Sequence, residues 1–122
     1  MRACDGAALG TYAVGTSPEG VAFDGAHIWV VNANSNNVMK LRLNDGHHLG
    51  TFNVGQNPRA IAFDGVNMWV ANTADNTVTM LRAVDGANLG TFPTRGDGPQ
   101  NVAFDGANIW VSNSVSDTVS KL

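Results

Sequence analysis

Residues 21–32 read VAFDGAHIWVVN, and this stretch recurs twice further along the chain. Residues 61–72 read IAFDGVNMWVAN, and residues 102–113 read VAFDGANIWVSN. The copies begin 40 and then 41 residues apart (61 − 21 and 102 − 61). Self-similarity at a fixed period of this length is the signature of a repeat architecture. The chain is therefore an array of three similar units, the third carrying one extra residue.

The same flanking signals surround this stretch in every unit. An Asp-Gly pair opens the unit and is followed by Leu-Gly-Thr and an aromatic residue, Tyr12, Phe52 or Phe92. At 122 residues the whole chain, 1–122, has the length of one domain. The units within it are residues 2–41, 42–81 and 82–122.

Each unit is predicted to form four short β-strands, which in the first unit are residues 20–24, 27–32, 37–43 and 48–54. Asp-Gly pairs, which favour tight hairpin turns, separate the first strand from the second and the third from the fourth. No segment has a convincing helical period. Four-stranded units of about 40 residues predict an all-β fold, the β-propeller, in which each unit is one blade. A β-solenoid is the alternative, although its repeats are usually shorter.

The Trp-Val-x-Asn segments that begin at Trp29, Trp69 and Trp110 resemble the signature of the YVTN β-propeller repeat family. Residues 18–25, PEGVAFDG, are similar to the related NHL repeat. The resemblance covers essentially the whole chain, and it implies that the first strand of each blade lines the central axis. Because such propellers include enzymes, binding proteins and scaffolds, it implies little about function. The three tryptophans are expected to be buried between blades.

Three blades are fewer than the four to eight of typical propellers. Arg2 aligns with Arg42 and Arg82, so the chain begins at the end of a third strand. Residues 8–14 are therefore expected to form a fourth strand, whereas the last three strands, within residues 101–122, lack one. The strand missing from the last blade is thus found at the other end of the sequence.

Pairing between chains would supply the missing strand. Two chains would close a six-bladed ring through two identical joints. A single chain would have to close a ring of three blades, which is too tight, and three chains would form a ring of nine blades. A homodimer is therefore expected, with a homotrimer and a fragment of a longer propeller as the alternatives. The residues expected at the joint are Ala8, Leu9, Thr11, Tyr12, Val14, Thr118, Val119, Lys121 and Leu122.

Loop lengths predict two different faces. The short Asp-Gly turns lie on one face, and the longer loops, which join second to third strands and fourth to first strands, lie on the other. Ligands bind where longer loops cluster on a rigid scaffold, so this loop face is the candidate site for a small polar ligand. The alternatives are a solvated rim and amides that cap local turns. The candidate ligand-binding residues are Glu19, Arg59, Gln100, Asn32, Asn72 and Asn113.

Composition narrows the classes of partner. A hydrophobic content of 43% with only 14% charged residues indicates a folded chain. A net charge of −3 without a basic block argues against nucleic acid, and no apolar run is long enough to span a bilayer. The single cysteine, Cys4, forms no intrachain disulfide. No secretion signal is visible, so the cytoplasm is the default expectation.

Two classes of function fit these observations. The first is a non-catalytic, self-assembling scaffold or binding module. The second is a small lyase-like or lactonase-like enzyme with an axial metal, a site that needs convergent carboxylates and histidines. The candidate face offers carboxylates but no histidine, so the first class is favoured. No catalytic residue, metal site or cofactor is expected. The carboxylates are Glu19, Asp75, Asp97 and Asp117.

Overall fold

The computed structural model of the chain describes residues 2–122. These residues form eleven β-strands in three antiparallel sheets and contain no helix that could cross a membrane. Sheet 1 contains β1 (Pro18–Phe23), β2 (His27–Asn32), β3 (Asn37–Arg42) and β4 (His48–Asn53). Sheet 2 contains β5 (Pro58–Phe63), β6 (Asn67–Asn72), β7 (Thr77–Arg82) and β8 (Asn88–Pro93). Sheet 3 contains β9 (Pro99–Phe104), β10 (Ile109–Asn113) and β11 (Thr118–Lys121). The predicted all-β class is confirmed.

The first hairpin of each sheet is shaped by its Asp-Gly pair. Asp24 Oδ1 accepts hydrogen bonds from the backbone N–H groups of Ala26, at 2.9 Å, and His27, at 2.6 Å. Gly25 has a φ of 95°, a left-handed conformation that costs glycine little and other residues more. Sheets 2 and 3 repeat this geometry. The Asp-Gly pair thus determines where the first strand ends and the second strand begins.

The other carboxylate oxygen of the same aspartate binds the tryptophan of the next strand. Trp29 Nε1 donates to Asp24 Oδ2 at 2.9 Å, and the equivalent bonds in sheets 2 and 3 measure 2.8 Å and 2.7 Å. This bond positions the indole ring across the hairpin. The repeat alone predicts no such bond, although the constant Asp-x-x-x-x-Trp spacing that allows it is visible in the sequence.

The core lies between successive sheets. Side chains alternate along a strand, so Trp29, Val31 and Val38 face sheet 2, where they pack against Met68 and Val70. A second cluster joins sheets 2 and 3. At the interface between sheets 1 and 2, the face of sheet 1 that carries Trp29 therefore packs against the face of sheet 2 that carries Met68. The interface between sheets 2 and 3 is built in the same way.

The expectation that all three tryptophans are buried between sheets is only partly correct. Trp29 is fully buried and Trp69 is half-buried, but Trp110 is 38% exposed. The physical reason is that, within the part of the chain that the structure describes, no sheet follows sheet 3. Burial at this position thus depends on a neighbour as well as on the repeat.

The first strands form the inner edge of the array. β1 lies against β5, and β5 lies against β9. A side chain at Gly20 would meet the Arg59 carbonyl oxygen at 3.1 Å, so glycine permits the close approach of β1 and β5. This arrangement agrees with the axial position that the family resemblance implies for the first strands.

Residues 8–14 do not form the expected strand in the single chain. A β-strand needs a neighbour to satisfy its backbone groups, and no third strand formed by residues 2–122 lies beside this segment. The segment nevertheless occupies the place of a fourth strand relative to sheet 1. The Tyr12 ring packs over Gly46 as the Phe52 ring packs over Gly86 in the next sheet.

Candidate functional site

The longer loops meet on one face, as expected. The Ala33 N–H donates to the Ser17 carbonyl at 2.8 Å, which ties the loop before β1 to the loop after β2. The equivalent bonds in sheets 2 and 3 measure 3.1 Å and 2.9 Å. The loop face is therefore cross-braced by hydrogen bonds within each sheet.

The three candidate asparagines end the second strands, and all of them are buried beneath these loops. Asn72 Nδ2 donates to Thr79 Oγ1 at 2.8 Å, and Asn72 Oδ1 accepts the Gly55 N–H at 3.1 Å. The equivalent amides donate to side chains of their own third strands. The Nδ2 groups of these amides therefore donate to groups of the chain itself, whereas the buried Oδ1 atoms of Asn32 and Asn113 have no hydrogen-bond partner among the described residues. The three are Asn32, Asn72 and Asn113.

The structure places Glu19, Arg59 and Gln100 as the second residues of β1, β5 and β9, at the inner edge. An Arg59 guanidinium nitrogen lies 3.8 Å from a Glu19 carboxylate oxygen, with both side chains partly exposed. Such an exposed pair contributes little to stability. The three side chains thus follow one another along the rim, and the structure brings Glu19 and Arg59 together.

A polar groove of about 450 Å³ lies on the loop face between sheets 2 and 3. It includes the loop that carries the extra residue of the third unit, so it breaks the repeat symmetry. Asn76 Nδ2 donates to Asp97 Oδ1 at 3.3 Å within it, and Arg95 adopts a φ of 62°. Among the residues that line it are Asp75, Asn76, Arg95, Asp97 and Ser116.

A groove of about 430 Å³ lies between sheets 1 and 2 on the opposite face, where the Asp-Gly turns are. Lys40 reaches into it and is nearly buried. Its ammonium group donates to the carbonyl oxygens of Ala83, at 3.0 Å, and Val84, at 3.3 Å. The charge is therefore bound by backbone groups of the neighbouring sheet.

The outer strand of sheet 3 is an open edge. Within the described residues, β11 pairs with β10 alone, whereas β3 and β7 each pair on both sides. Val119 on this strand is 63% exposed, but the equivalent Val38 and Val78 are fully buried. An apolar groove of about 170 Å³ opens beside it and includes Val102 and Trp110.

Local hydrogen bonds explain why the pKa values of several carboxylates are lowered. The donation from the Trp110 indole lowers the pKa of Asp105 to about 2. The Arg42 guanidinium, through its hydrogen bond, holds the pKa of Asp45 well below its usual range. Perturbed pKa values cluster at active sites, but both of these groups belong to turns. These shifts therefore give no reason to place a catalytic acid or base here.

No group of three His, Cys, Asp or Glu side chains between residues 2 and 122 is arranged to hold a metal ion. His27 lies in the first hairpin of sheet 1, where its Nδ1 is 3.4 Å from Asp24 Oδ2. His48 begins β4, and its Nε2 is 2.6 Å from the Thr51 hydroxyl. Neither residue is on the loop face. The expectation that no metal is bound stays a prediction.

Comparison with known proteins supports the fold. No protein-family profile and no curated protein matches the sequence. Among solved structures, a catalytically inactive variant of virginiamycin B lyase from Staphylococcus aureus, with quinupristin, aligns over 85% of this chain with a TM-score of 0.72 and 22% identity. Hydrazine synthase from Kuenenia stuttgartiensis aligns over 86% with a TM-score of 0.65 and 22% identity.

A third structure, a functionally unknown protein from Desulfotomaculum acetoxidans, aligns over 87% of this chain with a TM-score of 0.67 and 22% identity. The fold is of the β-propeller type. The present chain spans 37%, 36% and 41% of the hydrazine synthase, lyase and Desulfotomaculum chains, respectively. At this level of identity the propeller similarity concerns the fold alone.

Proposed function

We propose that the chain is a non-catalytic β-propeller module of the YVTN/NHL type that assembles with a second copy into a six-bladed ring. The observation that carries this proposal is the contrast along the third strands. Val38 and Val78 are fully buried by the sheet that follows, and Val119 is 63% exposed because none follows. A surface this apolar beside an open strand edge favours association.

The opposite end of the chain offers the complementary surface. Val21 is 66% exposed on sheet 1, whereas the equivalent Ile61 of sheet 2 is 9% exposed. Leu43 is 53% exposed, and its equivalent, Ala83, is 7% exposed. Sheet 1 therefore exposes what sheet 2 buries, and a second copy would join the two surfaces as sheets 1 and 2 are joined.

Native mass spectrometry tests the assembly. The expected mass is 25.6 kDa, twice the 12.8 kDa of one chain. A trimer would retain the closure but give nine blades, outside the usual number. A compact monomer at micromolar concentration would overturn the proposal and favour a fragment of a longer propeller, in which further repeats of the same chain cover both surfaces.

We propose the loop face as the binding face, with the groove between sheets 2 and 3 as the site of a small polar ligand. The groove combines hydroxyl, amide, carboxylate and guanidinium groups, including Arg95 and Asp97. Glu19, Arg59 and Gln100 would each occur twice around the axis of a six-bladed ring. A thermal-shift screen of polar metabolites against the wild type and Arg95→Ala tests the site. Ligands that stabilise the wild type and Arg95→Ala equally would contradict the assignment of the binding site to this groove.

A lyase-like enzyme is the alternative, since one of the solved structures with a similar fold is a lyase. This alternative requires turnover of a substrate, for which quinupristin is the available probe. Metal analysis of the purified protein and incubation with quinupristin separate the two functions. Product formation by a protein that holds a metal ion tightly would favour the enzymatic function over the binding module.

A further inference from the structure

The open edge of β11 and the unpaired residues 8–14 match each other as neighbouring strands of one sheet do. We infer that residues 8–13 of a second copy add to β11 as its fourth strand in one fixed register, and that Lys121 fastens this joint. The inference rests on the proposed function and deepens it, because it identifies the partner segment, the residue pairs and the charged contact.

The register follows from the two complete sheets. Val38 of β3 opposes Phe52 of β4, and sheet 2 repeats this pairing one unit later. The equivalent of Val38 in β11 is Val119, and the equivalent of Phe52 near the start of the chain is Tyr12. The inferred pairs are Thr118–Ala13, Val119–Tyr12, Ser120–Thr11, Lys121–Gly10 and Leu122–Ala8.

A pair of opposed hydroxyl side chains in sheet 2 supports this register. Thr79 and Thr91 oppose each other, and their hydroxyl oxygens are 3.4 Å apart. In sheet 3 the equivalent of Thr79 is Ser120, whose hydroxyl accepts a hydrogen bond from Asn113 Nδ2 at 3.0 Å. The inferred register places the Thr11 hydroxyl of the second copy opposite Ser120. A slip of one residue would move every side chain of the segment to the wrong face.

The turn that precedes the segment already has the geometry of the turn before β4. Arg2 and Asp5 form an ion pair at 2.7 Å, the same as the pair between Arg42 and Asp45 in the turn before β4. The Tyr12 ring already packs on sheet 1. A preorganised segment loses less conformational entropy on binding than a disordered one.

Lys40 connects two successive sheets through hydrogen bonds across their interface. Its ammonium group lies 5.3 Å from the centre of the Trp29 ring and donates to the carbonyl oxygens of Ala83 and Val84 across the interface. Hydrogen bonds from a charged donor are among the stronger ones in proteins. This contact therefore contributes to the packing of sheet 1 on sheet 2.

Lys121 is prepared for the same contact. Its ammonium group lies 5.4 Å from the centre of the Trp110 ring, as Lys40 does over Trp29. The repeat places Leu43 and Asn44 of a second copy where Ala83 and Val84 stand at the interface between sheets 1 and 2. We therefore assign the carbonyl oxygens of Leu43 and Asn44 of the second copy as the acceptors for Lys121.

Cysteine cross-linking tests the register. In a Cys4→Ser background, Thr11→Cys with Ser120→Cys places two thiols on directly opposed residues, within the Cα separation that a disulfide needs. The matched control, Ala13→Cys with Ser120→Cys, keeps the same face but is two residues out of register, too far for easy closure. Mild oxidation should convert the first variant into a covalent dimer on a non-reducing gel and leave the control mostly uncross-linked.

The outcomes separate the joint from the proposed assembly. A dimer mass without the in-register disulfide, or with equal cross-linking of both variants, would overturn the joint but leave self-assembly standing. A monomer in native mass spectrometry would overturn both. Each variant should keep the wild-type mass under reducing conditions, which shows that the new thiols do not disturb the fold.

Lys121→Met tests the charged contact. Methionine is the residue that sheet 2 carries at this position, Met80, so the variant should fold. Loss of the charged hydrogen bonds should raise the dimer dissociation constant about tenfold. An unchanged dissociation constant would remove Lys121 from the joint, whatever the cross-linking shows.

Discussion

Single residues explain why this short repeat folds at all. One aspartate in each unit closes the first hairpin through its Oδ1 and positions the tryptophan through its Oδ2, as Asp24 does for Trp29. The carboxylate must be ionised to accept all of these bonds. Aspartates with this role, and those paired with arginine in the turns before the fourth strands, link the stability of the protein to pH.

Acid should therefore destabilise the fold. The pKa of Asp105 is lowered from 3.8 to about 2 by the hydrogen bond from Trp110, so its contribution is fully present above pH 3.8 and is lost as the pH falls toward 2. Urea unfolding measured between pH 5 and pH 2 should show decreasing stability. In Trp110→Phe, an NMR titration should find the Asp105 pKa nearer 3.8. An unchanged value would show that the indole bond is absent in solution.

Truncation of the buried tryptophan should cost far more stability than an ordinary surface change. Trp29 is fully buried between sheets 1 and 2, so Trp29→Ala should lower the free energy of unfolding by about 3–5 kcal/mol. Chemical denaturation measures this loss. Trp110→Ala is the matched control, and its cost should approach that of Trp29→Ala only where a second copy covers sheet 3. Unchanged stability in Trp29→Ala would contradict the core described above.

Among the strands, those at equivalent positions of the repeat have different surroundings. β3 and β7 are central strands, and β11 has the same pattern but forms an edge. Edge strands of ordinary proteins are protected by charges, prolines or covering loops. β11 has Lys121, whose ammonium group lies over Trp110, and its Val119 side chain remains largely exposed.

A charge on this edge should prevent assembly without unfolding the chain. Val119→Asp places a carboxylate on a side chain that is 63% exposed in the single chain but would be buried in the joint. The dimer dissociation constant should rise by about 100-fold or more, because burying an unpaired charge costs several kcal/mol. Sedimentation velocity measures the change. Val115→Asp, on a residue that is 73% exposed outside the joint, is the matched control and should associate as the wild type does.

At the scale of the whole molecule, the proposed ring joins the two ends of different copies. In the repeat, the position after Leu122 is that of Arg2. A single chain in which Leu122 is followed directly by residue 2 of a second copy should therefore contain the whole six-bladed ring, closed by one joint instead of two. The wild-type assembly should lose stability on dilution, since its folded form depends on protein concentration.

The tandem fusion should behave as a monomer of about the wild-type dimer mass, with a melting temperature independent of concentration. Light scattering and thermal denaturation over a hundredfold concentration range check both properties. Fusions that associate further, or that still lose stability on dilution, would exclude the six-bladed arrangement. A nine-bladed ring would instead make the fusion polymerise or leave it open.

The amino-acid sequence alone predicts the repeat, the four-stranded units, the Asp-Gly hairpins and the two groups of loops, because these depend on local backbone preferences and on a period that can be read directly. It did not determine which repeated side chains are buried. Trp29 and Trp110 have nearly the same local sequence, yet one is fully buried and the other is 38% exposed. Burial requires a neighbouring sheet, which only the tertiary structure supplies.

The same reason explains the segment at residues 8–14. Its sequence is that of a fourth strand, but a strand exists only when a neighbour satisfies its backbone groups, and none lies beside it in the single chain. The tertiary structure also decided the contacts of Lys40 and of the Asn72 side-chain oxygen, because their partners come from a neighbouring sheet and from a loop above the strand. Local sequence thus predicted the turns and the segments able to form strands, whereas contacts between neighbouring segments decided which of them pair and which surfaces are covered.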